Sequence, residues 1–208
     1  MAKNNTEDYL NDLSFEDLET LIEKKAFTKV GLSSSSYKKD AGGKSALSSQ
    51  NALSTASNYS VIKKYGTLGS GQFAPVVAKV DWFGYERYDI RRWKSDGSPG
   101  KGFTFTYDEL LTLYKSLIVF DFNKRFGKPL RFYEGANTTA KIYYKIASLS
   151  TSEKKGVTWI KEVNIVDWGY GPKVDFHQWT PKYDRCSKGI CISLSELKDL
   201  KEIISNIL

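Results

Sequence analysis

The segment Val80–Trp93, VDWFGYERYDIRRW, decides the fold, because a second copy of it, VDWGYGPKVDFHQW, occupies residues 166–179. Both copies begin with Val-Asp-Trp, and both end with a Trp four residues after an Asp. A recurrence of this length indicates that one structural unit is repeated along the chain. The fold is therefore predicted from two similar units rather than from one continuous domain.

Each copy leads into a strand-like stretch and then into the start of a helix. In the first unit Thr106 and Glu109 form a capping box, in which the hydroxyl and the carboxylate satisfy free amide groups of the first helical turn. Ser193 and Glu196 repeat this pattern in the second unit. Apolar residues at helical spacing follow both boxes, which predicts one amphipathic helix in each unit. The two predicted helices are residues 107–118 and 194–207.

Upstream of each copy, two stretches are rich in the aromatic and β-branched residues that favour strands. They are residues 59–68 and 73–82 in the first unit, and 141–149 and 157–168 in the second. With the repeated segment as the third strand, each unit is predicted to be a four-stranded antiparallel sheet followed by one helix on one face of the sheet. The expected fold class is therefore α+β, with two tandem units.

The chain divides into four expected parts: residues 1–58, a first unit at 59–118, a connector at 119–139 and a second unit at 140–208. Within the first part, residues 7–23 carry seven acidic side chains and no basic one, which predicts a short acidic helix. Ten of the 28 residues from 33 to 60 are serine, as in a flexible linker. The acidic segment, residues 7–25, either recruits replication or recombination partners or competes with DNA for the basic face, or it is a poorly ordered solubilising tail.

The composition favours a polyanionic partner. The formal charge is +7 and the isoelectric point is near 9.2, and clustered Lys and Arg attract phosphates. No apolar run approaches the roughly 20 residues that cross a bilayer, and the N-terminus has no signal-peptide pattern. We therefore expect no membrane association, and a cytoplasmic protein of a bacterial or viral setting or one associated with a nucleoid.

The sequence offers little for catalysis. His177 is the only histidine, which excludes most histidine-based triads and multi-histidine metal centres. Cys186 and Cys191 lack the spacing of a zinc site. GSPGKG at residues 97–102 departs from the phosphate-loop pattern and is better interpreted as a hairpin turn. We predict a non-enzymatic protein with no catalytic residues, no metal and no cofactor.

Strand alternation in the repeated segment predicts an open sheet face. Apolar residues on one side of the strand mark the face that the helix covers, so Trp93 and Trp179 should stand on the other face beside Arg91 and His177. An exposed Trp beside cations suits stacking on unpaired bases. Each Trp could instead pack at a strand end or between the units. The lysines near the following loop, candidates for phosphate contacts, are Lys94, Lys101, Lys182 and Lys188.

These residues carry a family likeness. YDIRRWKSDGSPGKGFTFTYDEL at 88–110 and, less closely, VDFHQWTPKYDRCSKGICISLSEL at 174–197 resemble the core of the transcriptional positive cofactor four family, especially its bacterial YdbC-type branch. The resemblance implies a curved four-stranded sheet plus helix that dimerises through its helices and binds single-stranded DNA without strong sequence preference. Two tandem units imply a pseudo-dimer within one chain, and the chain itself is then a monomer or part of a higher oligomer. The residues carried over by the resemblance are Arg91, Trp93, Lys94 and Lys101, and Trp179, Lys182 and Lys188.

The two units differ where the first has Arg91-Arg92 and the second has His177-Gln178. A neutral imidazole and an amide neutralise no phosphate, so the first unit should contribute more affinity. Single-stranded DNA binding in replication, recombination, repair or transcription is the expected function. Two alternatives stay open: a transcription regulator or RNA-binding protein that uses the same face, and a scaffold or interaction protein that binds no nucleic acid.

Overall fold

The computed structural model describes residues 59–135 and 138–208, so the predictions for residues 1–58 lie outside the described residues. The first unit contains β1 (Tyr59–Thr67), β2 (Val76–Trp82), β3 (Tyr85–Trp93), β4 (Pro99–Phe105) and α1 (Tyr107–Val119). The rest of the chain contains β5 (Arg131–Glu134), β6 (Thr139–Lys154), β7 (Val157–Asp167), β8 (Pro172–Trp179), β9 (Ile190–Ile192) and α2 (Leu194–Ile207).

The strands form two antiparallel sheets, each followed by a helix, and the α+β class is confirmed. The first sheet has the order β1-β2-β3-β4, and the second has the order β5-β6-β7-β8-β9. The prediction of four strands in each unit is wrong for the second, because β5 adds a strand at its edge. This strand comes from the connector.

Local signals in the sequence place the helices and the turn. The hydroxyl of Thr106 accepts from the Glu109 amide at 3.1 Å, and the carboxylate of Glu109 accepts from the Thr106 amide at 2.9 Å. Ser193 and Glu196 form the same box at the start of α2, so both capping boxes are confirmed. A hairpin turn does join β3 and β4, with the Asp96 carboxylate accepting from the Ser98 amide at 2.8 Å, but it spans residues 94–98, and residues 99–102 of the predicted turn belong to β4.

Both sheets and both helices contribute to one hydrophobic core. Phe176 of the second sheet lies 5.9 Å from Phe103 and 6.0 Å from Phe105 of the first sheet, measured between ring centroids. The buried face of α1 presents Leu110, Leu113 and Leu117, and that of α2 presents Leu197, Leu200 and Ile204. Because α1 packs chiefly against β6, the first unit buries its helix on the second sheet.

A buried ion pair bridges the units at the start of α1. The Lys161 ammonium on β7 donates to the Glu109 carboxylate and to the Thr104 carbonyl, both at 2.8 Å. Ser150 on β6 also donates to Glu109, at 2.5 Å. Burial raises the pKa of Glu109, but these donors outweigh that effect and hold the pKa below its ordinary value. Glu109 therefore both caps α1 and attaches it to the second sheet.

A corresponding contact runs in the opposite direction. The Arg92 guanidinium on β3 donates to the Cys191 carbonyl at 3.2 Å and lies 3.8 Å from the Glu196 carboxylate. Cys191 and Glu196 occupy the positions that match Thr104 and Glu109 in the repeat. In both units, therefore, the strand residue (Thr104 or Cys191) and the helix-capping glutamate (Glu109 or Glu196) contact a cation from the other unit.

The connector packs on this core. Phe120 is buried in the core, while Phe122 and Phe126 are half-buried against it. Tyr133 of β5 is buried in a second, smaller cluster on the outer side of the second sheet. Within residues 59–135 and 138–208, no helix has the length and apolar character needed to cross a membrane.

Candidate nucleic-acid interface

The first sheet has one face on the shared core and one face turned away from it. Ile90 lies in the core, and its strand neighbours Asp89 and Arg91 point to the other side, as the alternation predicts. We call this outer side of the first sheet the open face. Its central residues are Tyr59, Trp82, Asp89, Arg91 and Trp93.

Arg91 is held inside the open face by a bidentate ion pair. Its Nε donates to Oδ2 of Asp89 at 2.8 Å, one terminal nitrogen donates to Oδ1 at 3.0 Å, and the other donates to the Gly100 carbonyl at 2.8 Å. Asp89 is 1% exposed and Arg91 is 9% exposed. Burial raises the pKa of Asp89, which the guanidinium only partly offsets. The prediction that Arg91 is a solvent-facing cation is therefore wrong.

The Arg91 guanidinium organises the aromatic rings around it. Its Cζ lies 5.2 Å from the Tyr59 ring centroid and 5.6 Å from that of Trp82. The Tyr59 hydroxyl donates to the Asp89 carboxylate at 2.9 Å, and burial and this carboxylate raise the pKa of Tyr59. Trp82 and Trp93 lie 5.2 and 6.1 Å from Tyr59, so one ring contacts both indoles. Trp93 is half-buried rather than standing free in solvent.

The hairpin between β2 and β3 extends the aromatic surface into solvent. Trp82 is 37% exposed, Phe83 59% and Tyr85 64%. The ring of Phe83 contacts that of Trp82 edge to face, with centroids 5.7 Å apart. Large apolar side chains that are exposed at neighbouring positions are typical of a surface that binds a ligand.

The turn of this hairpin places a bulky residue in an unfavourable conformation. Phe83 has a φ of 55° and Gly84 a φ of 81°, the positive values of a two-residue type I′ turn. Residues with a Cβ disfavour this left-handed region, and Asn or Gly is the usual choice at the first position. The matching residue in the second copy is Gly169, with a φ of 98°. Phe83 therefore occupies a position where the repeat itself has glycine.

The predicted lysines lie on the surface. Lys94 is in the β3–β4 turn directly after Trp93, and Lys101 is in β4 beside a β-bulge. Lys182 and Lys188 lie in the loop between β8 and β9, as expected. All four are accessible to solvent, and none forms an ion pair with a carboxylate in the described part of the chain. Their ammonium groups can therefore meet anions.

The outer face of the second sheet is covered, and the predicted exposure of Trp179 is wrong. Trp179 is 0% exposed. The rings of Tyr133 on β5 and Tyr183 on the β8–β9 loop each lie 5.4 Å from it, and Trp168 stacks on it at 5.9 Å. Alternation assigned the correct side of the strand, but Tyr133 of β5 and Tyr183 of the β8–β9 loop fill the space above it.

His177 is also buried on this sealed face, at 9% exposure, so its predicted exposure is wrong. Its Nδ1 lies 2.8 Å from Oδ1 of Asp175, which matches Asp89 in the repeat. The same oxygen accepts from Trp168 Nε1 at 2.9 Å and from the Cys191 thiol at 3.1 Å. Burial and this carboxylate raise the pKa of the Cys191 thiol. The carboxylate therefore organises the sealed face, as Asp89 organises the open face.

The sequence-based candidates missed Tyr59 and Lys64, and they also missed the exposed rings of Trp82, Phe83 and Tyr85. Tyr59 is the first residue of a predicted strand, and its role depends on Asp89, thirty residues away. Lys64 is exposed and pairs across β1–β2 with Ala78, which places it on the open face between two β-bulges. Bulges shift the alternation, so the sequence could not assign Lys64 to a side.

Within residues 59–135 and 138–208 no group of three or more His, Cys, Asp or Glu side chains is placed to hold a metal ion. Cys186 and Cys191 are free thiols. The described surface that could receive a ligand is thus aromatic and basic. No family model, no curated protein and no solved structure matches the chain.

Proposed function

We propose that this protein binds single-stranded DNA on the open face of the first sheet, without sequence preference and without catalysing a reaction. The observation that carries the proposal is the contrast between the two outer faces. The first leaves Trp82, Phe83 and Tyr85 exposed and Trp93 half-buried, whereas in the second Tyr133 and Tyr183 cover Trp179, the residue that matches Trp93. Unpaired bases offer flat apolar faces to exposed rings, whereas a duplex hides them.

The geometry of the open face favours stacking over ion pairing at its centre. The Arg91 guanidinium already has Asp89 as its partner, so it holds Tyr59 and Trp82 in place instead of meeting a phosphate. Rings that are fixed before binding lose little conformational freedom on binding. Base stacking on such rings contributes roughly 1–3 kcal/mol per base, and it tolerates any sequence.

The phosphates of the strand would meet lysines at the margin. Lys94 follows Trp93 directly, Lys101 lies in the next strand, and Lys64 lies on the open face itself. Lys ammonium groups bind phosphates by charge alone, which adds salt-dependent affinity without sequence information. This division of roles matches a binder that does not select sequence.

The second sheet supports the proposal as a counterexample within the same chain. Tyr133 and Tyr183 contact Trp179 from positions that a base would take on an open face. A strand therefore has no ring to stack on there, and we expect one strand per chain. The expectation that the first unit dominates stays a prediction, but its reason changes: Arg91 is paired with Asp89 and Arg92 contacts Cys191, so exposed rings and not these arginines distinguish the first unit.

We further propose that the two units form an intramolecular pseudo-dimer around an approximate twofold axis. The shared core supports it, and so do the matching acceptor carbonyls of Thr104 and Cys191, which receive their cations from strands of the other unit that do not correspond, Lys161 on β7 and Arg92 on β3. Family resemblance implies the same arrangement. In this view the second unit braces the first rather than binding a strand of its own.

Fluorescence anisotropy with labelled oligo-dT tests the proposal. Trp82→Ala should lower affinity by about 5- to 150-fold, the equivalent of stacking on one base. The matched control is Tyr170→Ala, because Tyr170 is 88% exposed on the corresponding hairpin of the second sheet. The control should bind within about twofold of wild type. Equal reductions in the two variants would contradict the proposal.

Charge reversal provides a second arm of the same titration. The double change Lys94→Glu, Lys101→Glu should make the slope of log affinity against log salt concentration less steep. The expected change is about 0.7 for each phosphate that is no longer neutralised. Lys182→Glu with Lys188→Glu, at corresponding places beside the sealed face, is the control for net charge. Competition with RNA and with duplex of equal length identifies the preferred nucleic acid, and failure of all three to bind would favour the scaffold function.

A further inference from the structure

A second basic surface lies on the connector and α2, apart from the open face. We name it the connector patch, and its residues are Lys124, Lys198 and Lys201 with the rings of Phe122 and Tyr144 beneath them. The Lys198 and Lys201 ammonium groups lie 5.7 and 5.6 Å from the Phe122 ring centroid. The Lys124 ammonium lies 4.8 Å from the ring centroid of Tyr144.

The rings beneath these lysines form one continuous support. Phe120, buried in the shared core, lies 5.0 Å from Phe122 and 5.8 Å from Tyr144, between ring centroids. The turn before Lys124 is fixed, because the Asp121 carboxylate accepts from the Asn123 amide at 2.8 Å. The three ammonium groups are therefore positioned by a packed surface and not by a free loop.

The charges of the connector patch are not neutralised by the protein. None of the Lys124, Lys198 and Lys201 ammonium groups has a carboxylate within ion-pair distance or a hydrogen-bond acceptor in the described ranges. Arg125 and Lys128, further along the connector, are also exposed. The carboxylates of Asp121, Asp199 and Glu202 lie nearby in the sequence but pair with none of these lysines, and five cations against three carboxylates leave a net charge of +2 that attracts a polyanion.

The connector patch lies away from the open face. The buried residues of α2, Leu197, Leu200 and Ile204, face the shared core, and the open face is on the far side of the first sheet from that core. The two surfaces therefore lie on different sides of the first sheet, and the same nucleotides cannot stack on the open face and contact the patch.

The chemistry of the patch differs from that of the open face. Its aromatic rings lie under ammonium groups and are half-buried, so they support cations instead of offering faces to bases. We propose that the connector patch is a second nucleic-acid site that binds the phosphate backbone of duplex DNA, so that one chain can hold a duplex and a single strand together. The choice of nucleic acid as the polyanion rests on the proposed function.

The test uses the full chain, a short labelled duplex and oligo-dT, each titrated over a range of salt. The triple variant Lys124→Gln, Lys198→Gln, Lys201→Gln should bind the duplex at least about tenfold more weakly at low salt, with a salt slope reduced by about 0.9 for each phosphate that is no longer neutralised. Its affinity for oligo-dT should stay within about threefold of wild type. Replacing the same lysines by Arg should preserve duplex binding.

The matched control removes the same charge elsewhere. Lys141, Lys155 and Lys173 are exposed on the second sheet, and their change to Gln should leave duplex affinity within about threefold of wild type. The single change Lys124→Gln, which leaves α2 intact, is the second test variant and should reduce the duplex salt slope by about 0.9.

Three results would overturn the proposal: equal reductions of duplex affinity in the test and control triples, no duplex binding by the wild type at low salt, or abolition of duplex binding through Trp82→Ala alone. In each of these cases, a loss of oligo-dT binding in the Trp82→Ala variant would still support the open face. Duplex binding therefore tests the connector patch, and oligo-dT binding tests the proposed function.

Discussion

Replacing Phe83 by Asn separates what the β2–β3 hairpin needs for folding from what it offers a ligand. The change creates an Asn-Gly pair, the preferred sequence for the two-residue turn found here. Relief of the left-handed conformation at a φ of 55° favours folding by about 1 kcal/mol. Removal of the ring that meets Trp82 edge to face, at 5.7 Å, disfavours it by roughly 0.5–1.5 kcal/mol. The free energy of unfolding should therefore stay within about 1 kcal/mol of wild type.

The affinity for single strands should behave differently. The Phe83 ring is 59% exposed, so much of its surface is free for a base. Removing the ring on which one base stacks should lower oligo-dT affinity by about 1–3 kcal/mol, or about 5- to 150-fold. Anisotropy titration at fixed salt measures the affinity, and urea denaturation measures the stability. Tyr170→Asn on the corresponding hairpin of the second sheet is the matched control.

Two results would refute this reasoning in different places. Unchanged affinity in a folded Phe83→Asn variant would show that the exposed ring does not meet the strand. A fall in stability of several kcal/mol would show instead that the ring belongs to the fold and that the strain at φ 55° is a minor term. Only a lower oligo-dT affinity together with an unchanged free energy of unfolding supports the view that the Phe83 ring serves ligand binding.

The remaining predictions concern folding. Trp179→Ala should lower the free energy of unfolding by about 3–5 kcal/mol, because Trp179 is 0% exposed, while the folded protein binds oligo-dT normally; a cost below about 1 kcal/mol in urea denaturation would contradict its burial. Glu109→Gln should cost about 1–3 kcal/mol at neutral pH because Lys161 loses its carboxylate. Since the pKa of Glu109 is lowered on folding, its contribution is complete above its ordinary value of 4.5 and is lost as the pH falls through the lower folded value. The difference between wild type and variant should therefore shrink in acid, and a difference undiminished near pH 3 would count against the ion pair.

The sequence predicted much of the fold because the signals were local or repeated. Capping boxes at Thr106 and Ser193 placed both helix starts, and period-two alternation placed Asp89, Arg91 and Trp93 on the side away from the core. These features depend on neighbours within a few residues. Comparing the two copies added information, because a strand or helix predicted in one copy is expected at the matching residues of the other.

The candidate site was predicted less well because exposure depends on what distant segments cover. Alternation gives the side on which Trp179 points, but its burial comes from Tyr133 in the connector strand and Tyr183 in the following loop, whose positions strand alternation does not predict. Arg91 was misjudged for another reason. Its carboxylate partner, Asp89, lies two positions earlier on the same side of the strand, and this spacing was the available signal for an ion pair.

Carrying two related sheets in one polypeptide has an evolutionary consequence. In an assembly of identical subunits every substitution appears twice, so a mutation that closes one groove closes both. Here each half is encoded separately, and Gly169 and Phe83 show that corresponding positions have already diverged. On the proposed function, the half with Tyr133 and Tyr183 above its indole is free to specialise as a brace, while the other half evolves under selection for its ligand.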